Sequence, residues 1–361
     1  MVKKIKLFDP VIGISEEKIV SKVLKSKFWA SGSGSQYVSK FEKKMKEYIG
    51  SDECIAVNSG SSALNLALSL IDIKNKEVIL PSLSFVSTAH AIIVNGGKPV
   101  FVDVDPKNMC IDPEQIIKSI TNKTRVILPV HFAGMPCNMK HITKICKKNN
   151  LSLIEDAAHA AGSQYNNKKI GTHGIAVCFS FHPVKNLAMP TGGLISINSK
   201  FSKQLQKKLK SQRWCGISNR QGVNYDVQEI GWNNYMNEFS AAIGLVQLKK
   251  LDQLNKQRKK IAKLYHEKLN IIHKMPLDYD CSYHFYWIIV ENRDEFREKM
   301  TKRGIETGIH YKPIHKMTMY NQKKKLPITE ELSKKIVSLP THPNLKNDDV
   351  DFIIRSVNKF N

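Results

Sequence analysis

Residues 151–163 read LSLIEDAAHAAGS. Leu151, Leu153 and Ile154 make a short run that is apolar at nearly every position, and it ends on Glu155 and Asp156 before small residues take over. Such a run suits a strand covered on both faces, as in a parallel sheet packed between helices. Runs of the same kind lie on either side: CIAV at 54–57, EVIL at 77–80, PVFVDV at 99–104, RVILPV at 125–130, AVCFSF at 176–181 and LISIN at 194–198. Amphipathic, helix-length intervals separate them. The alternation predicts an α/β domain with a large, mostly parallel sheet sandwiched by helices.

Ahead of this block, ISEEKIVSKVLKS at 14–26 and SQYVSKFEKKMKEYIG at 35–50 carry helical spacing, and Ser15 before Glu16 and Glu17 marks a helix start. They predict an N-terminal helical arm. Beyond residue 200 the pattern turns to long helices, the longest at 237–269. A strand-like HFYWIIV follows at 284–290, then helical stretches at 294–304 and 348–360. A chain of 361 residues exceeds the size at which one core keeps growing. We expect a large domain with the arm at 1–245 and a smaller C-terminal α+β domain at 246–361.

Apolar residues make up 42% and charged residues 24%, the balance of an ordinary globular protein. Lys and Arg number 56 against 32 Asp and Glu, a formal net charge of +24. The cations are spread as lysine pairs over helical stretches such as 199–210 and 248–264, without a basic stripe interleaved with aromatics. Nucleic acid is therefore not the expected partner, and a cluster of cations near an active site would suit an anionic, phosphate-bearing substrate. Cys54, Cys110, Cys137, Cys146, Cys178, Cys215 and Cys281 show no CxxC pair or zinc-type spacing, so they read as reduced thiols and no metal site is expected. The N-terminus MVKKIKLFDP lacks the apolar run of a signal peptide, and no stretch approaches the roughly 18 apolar residues of a membrane span. The expectation is a cytoplasmic protein without membrane contact.

Three segments can carry chemistry. Asp156 sits where a strand ends, the edge at which open α/β sheets gather ligand-binding groups. It also fits as the N-cap of a helix over the following AAHAAG, and the segment alone leaves both readings open. In FSFHPVKNLAMPTGG at 179–193, Lys185 lies in a Pro- and Gly-marked loop between strand-like runs, with apolar or small neighbours. Partial desolvation there would lower its pKa and free the amine as a nucleophile toward carbonyl groups; a solvated surface lysine is the competing reading. In AVNSGSSALNLAL at 56–68, Ser59, Gly60, Ser61 and Ser62 precede an apolar helical stretch. Unpaired amides and the dipole at such a helix start attract phosphate, although an ordinary capped helix has the same look.

The same order of segments includes FWASGSGSQYVSKFEKKMKEYIG at 28–50, LPSLSFVSTAHAI at 80–92, FVDVD at 101–105, GWNNYMNEFSAAIGLVQLKKLD at 231–252, GIETGIHYKPIH at 304–315 and SLPTHP at 338–343. Together, over nearly the whole chain, they resemble the DegT/DnrJ/EryC1/StrS family of nucleotide-sugar aminotransferases. An ordered set of this kind is far more specific than any single motif. The resemblance implies the aspartate aminotransferase-like fold (PLP fold type I), with pyridoxal 5'-phosphate (PLP) carried as a Schiff base on Lys185. It implies that Asp156 keeps the pyridine nitrogen protonated, so that the ring can accept carbanion electrons. His159 matches a position beside the ring and its phenolic oxygen, and Phe85 the aromatic that stacks on the ring. Gly60, Ser61 and Ser62 match the phosphate-binding turn, with Ser180 adding a hydroxyl. Asn233 matches an asparagine that reaches the phosphate from the neighbouring subunit, which implies a homodimer with shared active sites. His310 and Tyr311 match a stretch near the sugar-nucleotide site. The implied reaction takes an amino group from L-glutamate, by way of pyridoxamine phosphate (PMP), to the ketone of a nucleotide-linked sugar. A 4-keto-6-deoxy sugar destined for a surface glycan or secondary metabolite is the class implied.

The chain departs from the family pattern at three positions. Thr191 stands where many members have an acid, Tyr235 where an arginine is common, and Cys215 where a histidine follows an arginine like Arg213. Expected around the mouth of the active site, these changes bear on the substrate more than on the cofactor. Two alternatives share the fold. One is PMP-dependent sugar dehydration, which in relatives uses histidine at the lysine position, so Lys185 argues against it. The other is a non-catalytic or regulatory member, against which Lys185, Asp156 and Ser180 stand together.

Overall fold

The computed structural model describes residues 4–278 and 280–361. The seven apolar runs between 54 and 198 each become a strand of one seven-stranded sheet. In chain order these are β1 (Glu53–Val57), β2 (Glu77–Pro81), β3 (Lys98–Val102), β4 (Thr124–Ile127) and β5 (Ser152–Asp156). A short hairpin of β6 (Gln164–Tyr165) and β7 (Lys168–Lys169) intervenes before β8 (Ala176–Ser180) and β9 (Gly193–Ile197) complete the sheet. The spatial order is β1-β9-β8-β5-β4-β2-β3. All these pairings are parallel except those of β9, which runs antiparallel to both β1 and β8.

The continuous apolar runs have a direct cause in this arrangement. Alternate residues of a strand face opposite sides, and both sides are buried: Val177 and Phe179 enter one core while Ala176 and Cys178 enter the other. The first core is closed by α1 (Ile14–Ser26) and α2 (Tyr37–Ile49), which pack on the later helix α8. α3 (Gly60–Leu68) and α4 (Ser87–Val94) pack on the opposite face, and α5 (Pro113–Ser119), α6 (Met139–Lys148) and α7 (Ser202–Gln212) fill the flanks. α1 starts at Ile14, so Glu16 is its third residue, and the Glu16 carboxylate accepts the Gly13 N–H at 3.0 Å.

After α7, an exposed hairpin of β10 (Ile217–Gln221) and β11 (Asn224–Val227) leads to α8 (Glu238–Lys268). α8 runs 31 residues without a break, straight through residue 245, where the sequence placed the start of the smaller domain. The C-terminal part contains β12 (Tyr286–Ile289), α9 (Arg293–Lys302), α10 (Pro327–Lys335), β13 (Ile336–Leu339) and α11 (Asn347–Phe360), with β12 and β13 paired antiparallel. The N-terminal segment returns to this part: the Ile5 N–H donates to the Gly304 carbonyl at 2.7 Å. Among the described residues no helix is long and apolar enough to cross a membrane.

Candidate active site

The carboxyl ends of β1, β5 and β8 open on a cavity of about 450 Å³. Asp156 ends β5 and is buried. No helix follows it, so the N-cap reading of Asp156 fails; instead, one carboxylate oxygen accepts the Ala158 N–H at 3.0 Å. The other accepts the Thr88 hydroxyl at 2.8 Å. Burial pushes the carboxyl pKa up, while the bonds from Thr88 and Ala158 and the nearby Lys185 ammonium pull it back.

Lys185 lies in the loop that turns β8 back into β9. The loop is anchored by buried Phe181, Leu187 and Met189, and by two backbone bonds of 2.9 Å, the Phe181 N–H donating to the Gly192 carbonyl and the Met189 N–H to the Phe181 carbonyl. The Lys185 side chain lines the cavity. Burial lowers its pKa to about 8, against the opposing pull of Asp156. The surface-lysine reading is therefore set aside: at pH 7 about a tenth of this amine is unprotonated, far more than for an ordinary lysine.

Ser59, Gly60 and Ser61 line the cavity together. Ser59 caps α3, its hydroxyl oxygen accepting the Ser62 N–H at 3.1 Å, so the amides at the start of the helix face the cavity with its positive dipole end. Ser180, at the end of β8, lies against Gly60 so closely that a Cβ on Gly60 would come within 2.8 Å of the Ser180 Cβ.

Aromatic and imidazole rings close the other side. The Ala133 N–H donates to His159 Nδ1 at 3.3 Å, and His159 Nε2 lies 3.0 Å from the Tyr311 hydroxyl. The rings of His159 and Tyr311 stack at 6.1 Å between centroids, and Phe85 is tilted against Tyr311 at 6.2 Å. His284 sits 4.6 Å from His159 and stacks on Phe8 at 5.0 Å. His310 stacks on Phe285 at 4.2 Å. Burial, reinforced by the Lys185 charge, pushes His159 and His284 well below the ordinary histidine range and His310 down to about 3, so all three rings are neutral. Burial, then Asp156, raises the Tyr311 phenol pKa.

Lys185, Gly60, Ser61, Phe85, Asp156, His159, Ser180, His310 and Tyr311 thus line one cavity, although they come from opposite ends of the chain. Ser62 does not: its hydroxyl donates to Asn58 Oδ1 at 2.6 Å and it lines a neighbouring hollow together with the exposed Asn233. Of the three departures, Thr191 lines the cavity, donating its hydroxyl to the Asn58 carbonyl at 2.5 Å. Tyr235 and Cys215 do not line it: Tyr235 is bridged to the backbone of Val57, at the end of β1, and Cys215 is exposed. Sequence reading missed Thr88, Phe8 and His284, while Ser59, read there as part of the helix start, lines the cavity. Thr88 was within reach, three residues after Phe85 in the same motif, whereas Phe8 and His284 belong to segments that only the tertiary fold brings to the cavity.

The donor set fits pyridoxal phosphate: an amine of lowered pKa for its aldehyde, a buried carboxylate for its ring nitrogen, and a glycine-cradled helix start with hydroxyls for its phosphate. Residues 10–358 match the DegT/DnrJ/EryC1/StrS aminotransferase family. The chain is 34% identical over 366 residues to GDP-perosamine synthase of Escherichia coli O157:H7, covering 99% of each. Its structure is similar to that of Helicobacter pylori PseC, an aminotransferase involved in the biosynthesis of pseudoaminic acid, with a TM-score of 0.93, 31% identity and 99% of both chains covered. It also matches the PLP form of a putative sugar aminotransferase from Streptococcus pneumoniae, with a TM-score of 0.93, 25% identity, and 99% of this chain and 98% of that one covered. The chain belongs to the DegT/DnrJ/EryC1/StrS aminotransferase family and is an aminotransferase of the PLP fold type I, with pyridoxal phosphate as its cofactor.

Proposed function

We propose that this enzyme transfers the amino group of L-glutamate to the ketone of a nucleotide-linked sugar, of the 4-keto-6-deoxy class, in the biosynthesis of an amino sugar for a glycan or secondary metabolite. The observation that carries the proposal is Lys185, an amine of pKa about 8 in one cavity with Asp156 and the start of α3. Bound pyridoxal phosphate supplies an electron sink and carries the amino group between the two substrates.

The residues divide the work. Lys185 would hold the cofactor covalently, and its freed amine would serve as the general base that takes a proton from one carbon and returns it to another. Asp156, supported by Thr88, keeps the ring nitrogen protonated. Gly60, Ser61 and Ser180 hold the phosphate, with Ser62 behind them shaping the turn through Asn58. Phe85, His159, His310 and Tyr311 line the same cavity; Phe85 would cover the cofactor ring, His159 would flank it, and His310 and Tyr311 would bound the sugar. Asn233, exposed and away from its own cavity, serves the site of a second copy, so the working unit is a homodimer. The large domain, 1–245, supplies the cofactor residues, and the smaller one, 246–361, supplies His284, His310 and Tyr311.

The test is the absorption spectrum of the protein with pyridoxal phosphate, before and after L-glutamate, followed by borohydride reduction and peptide mapping. A band bleached by glutamate, with reduced cofactor on the peptide that contains Lys185, supports the first half. UDP-, dTDP- and GDP-linked ketosugars, read by product mass, decide the second. A protein that takes up no cofactor overturns the reading.

A further inference from the structure

Asn186 follows Lys185 and is buried. Its Nδ2 donates to the Ser282 carbonyl and to Asn255 Oδ1, both at 3.0 Å, and Asn255 is itself oriented by donating to the Ala161 carbonyl at 2.9 Å. A carbonyl can only accept, so the orientation of both amides is decided. Asn186 Oδ1 is then an acceptor, and it lies 3.2 Å from His284 Nδ1. That nitrogen must carry the proton. In a neutral ring the other nitrogen, Nε2, is bare. His159 has the opposite tautomer, because its Nδ1 accepts the Ala133 N–H.

His284 lines the cavity, and among the described residues its Nε2 has no hydrogen-bond partner, yet it is not one of the buried atoms left unsatisfied. It is therefore open to the cavity. We infer that His284 is a specificity residue for the amino acceptor: Nε2 accepts a hydrogen bond from a hydroxyl of the bound sugar, in a tautomer held from behind by Asn186. The inference rests on the ketosugar reading above. A bare, neutral acceptor has nothing to offer the carboxylates of an amino-acid donor, which need N–H or O–H groups, so the same atom favours the polyhydroxylated substrate.

The tautomer is tested first, on the protein without cofactor, by nitrogen-15 NMR of histidine-labelled enzyme. One unprotonated, pyridine-type Nε2 signal should vanish in His284→Phe, and a protonated Nε2 at His284 overturns the inference. Recognition is tested by timing the two half-reactions separately, with L-glutamate and with the nucleotide ketosugar that the panel accepts. His284→Phe should lose about tenfold more in the sugar half-reaction, as a rise in KM, than in the glutamate half-reaction, the size of one lost hydrogen bond. His284→Gln, which keeps a side-chain acceptor, should recover most of that loss. Equal losses in both halves, or an unchanged ketosugar KM, overturn the inference. Native enzyme that aminates no ketosugar overturns the functional reading and the hydroxyl recognition together, and the NMR result then stands alone for the tautomer.

Discussion

Lys185 and Asp156 each make the other's burial tolerable: the carboxylate pulls the amine's pKa up and the ammonium pulls the carboxyl's down, both against desolvation. With Lys185 at about 8, only its unprotonated fraction attacks an aldehyde, so the rate of covalent cofactor uptake should rise with pH from 7 and level off above about 8, measured by stopped-flow absorption. Lys185→Ala should abolish both uptake and turnover. Between about 8 and the ordinary 10.5 the unfolded chain holds a proton that the folded apoenzyme lacks, so stability rises with pH across that window. Urea denaturation should show this slope, and Lys185→Met should flatten it. Thr88→Val removes one of the two donors to Asp156; a bond to a charged acceptor contributes about 1.5–3 kcal/mol, so the cofactor Kd should rise roughly ten- to hundredfold, read by fluorescence titration. Asp156, Lys185, Ser59, Gly60 and Ser61, which line the cavity, were legible because each sits in a contiguous motif at or just beyond a strand end. His284 was not, because its role depends on the partner at Nδ1, and Asn186 and Asn255 are distant from it in sequence.

Strands and helices meet with little clearance at the start of α3. A Cβ on Gly193, the first residue of β9, would overlap the Ser59 carbonyl oxygen, and backbone cannot rotate away as a side chain can. Gly193→Ala should displace the start of α3 and destabilise by about 1–3 kcal/mol, a drop of several degrees in Tm by calorimetry. Gly60→Ala, whose Cβ would meet Ser180 first and at a longer distance, should fold and bind cofactor less tightly. The seven sheet strands were readable because burial on both faces leaves unbroken apolar runs. The polar hairpin β10–β11 left no such trace, its ISNRQ and NYDV strands lying largely exposed. The proposed start of the smaller domain at 246 falls within α8, whose single helical pattern runs on through it.

As a whole, the molecule exposes Val223, Tyr225, Val227, Ile230 and Trp232 along and beyond that hairpin, an apolar surface of the kind that marks association. If Asn233 serves a second copy, then mixing Lys185→Ala with Asn233→Ala protein and allowing subunits to exchange should restore activity. Half the dimers formed are hybrids with one intact site, so recovery should reach about a quarter of the native rate, whereas a monomer recovers none. β9, the one strand reversed in the sheet, has a consequence for how this site assembles. Because it lies antiparallel beside β8, the segment carrying Lys185 joins neighbouring strands and closes with little loss of chain entropy. The pairing of β5 with β8, which brings in Asp156, is parallel and waits on a longer crossover. During refolding the nucleophile's turn should close ahead of its counter-charge, and pulsed hydrogen exchange should protect the amides shared by β8 and β9 before those shared by β5 and β8.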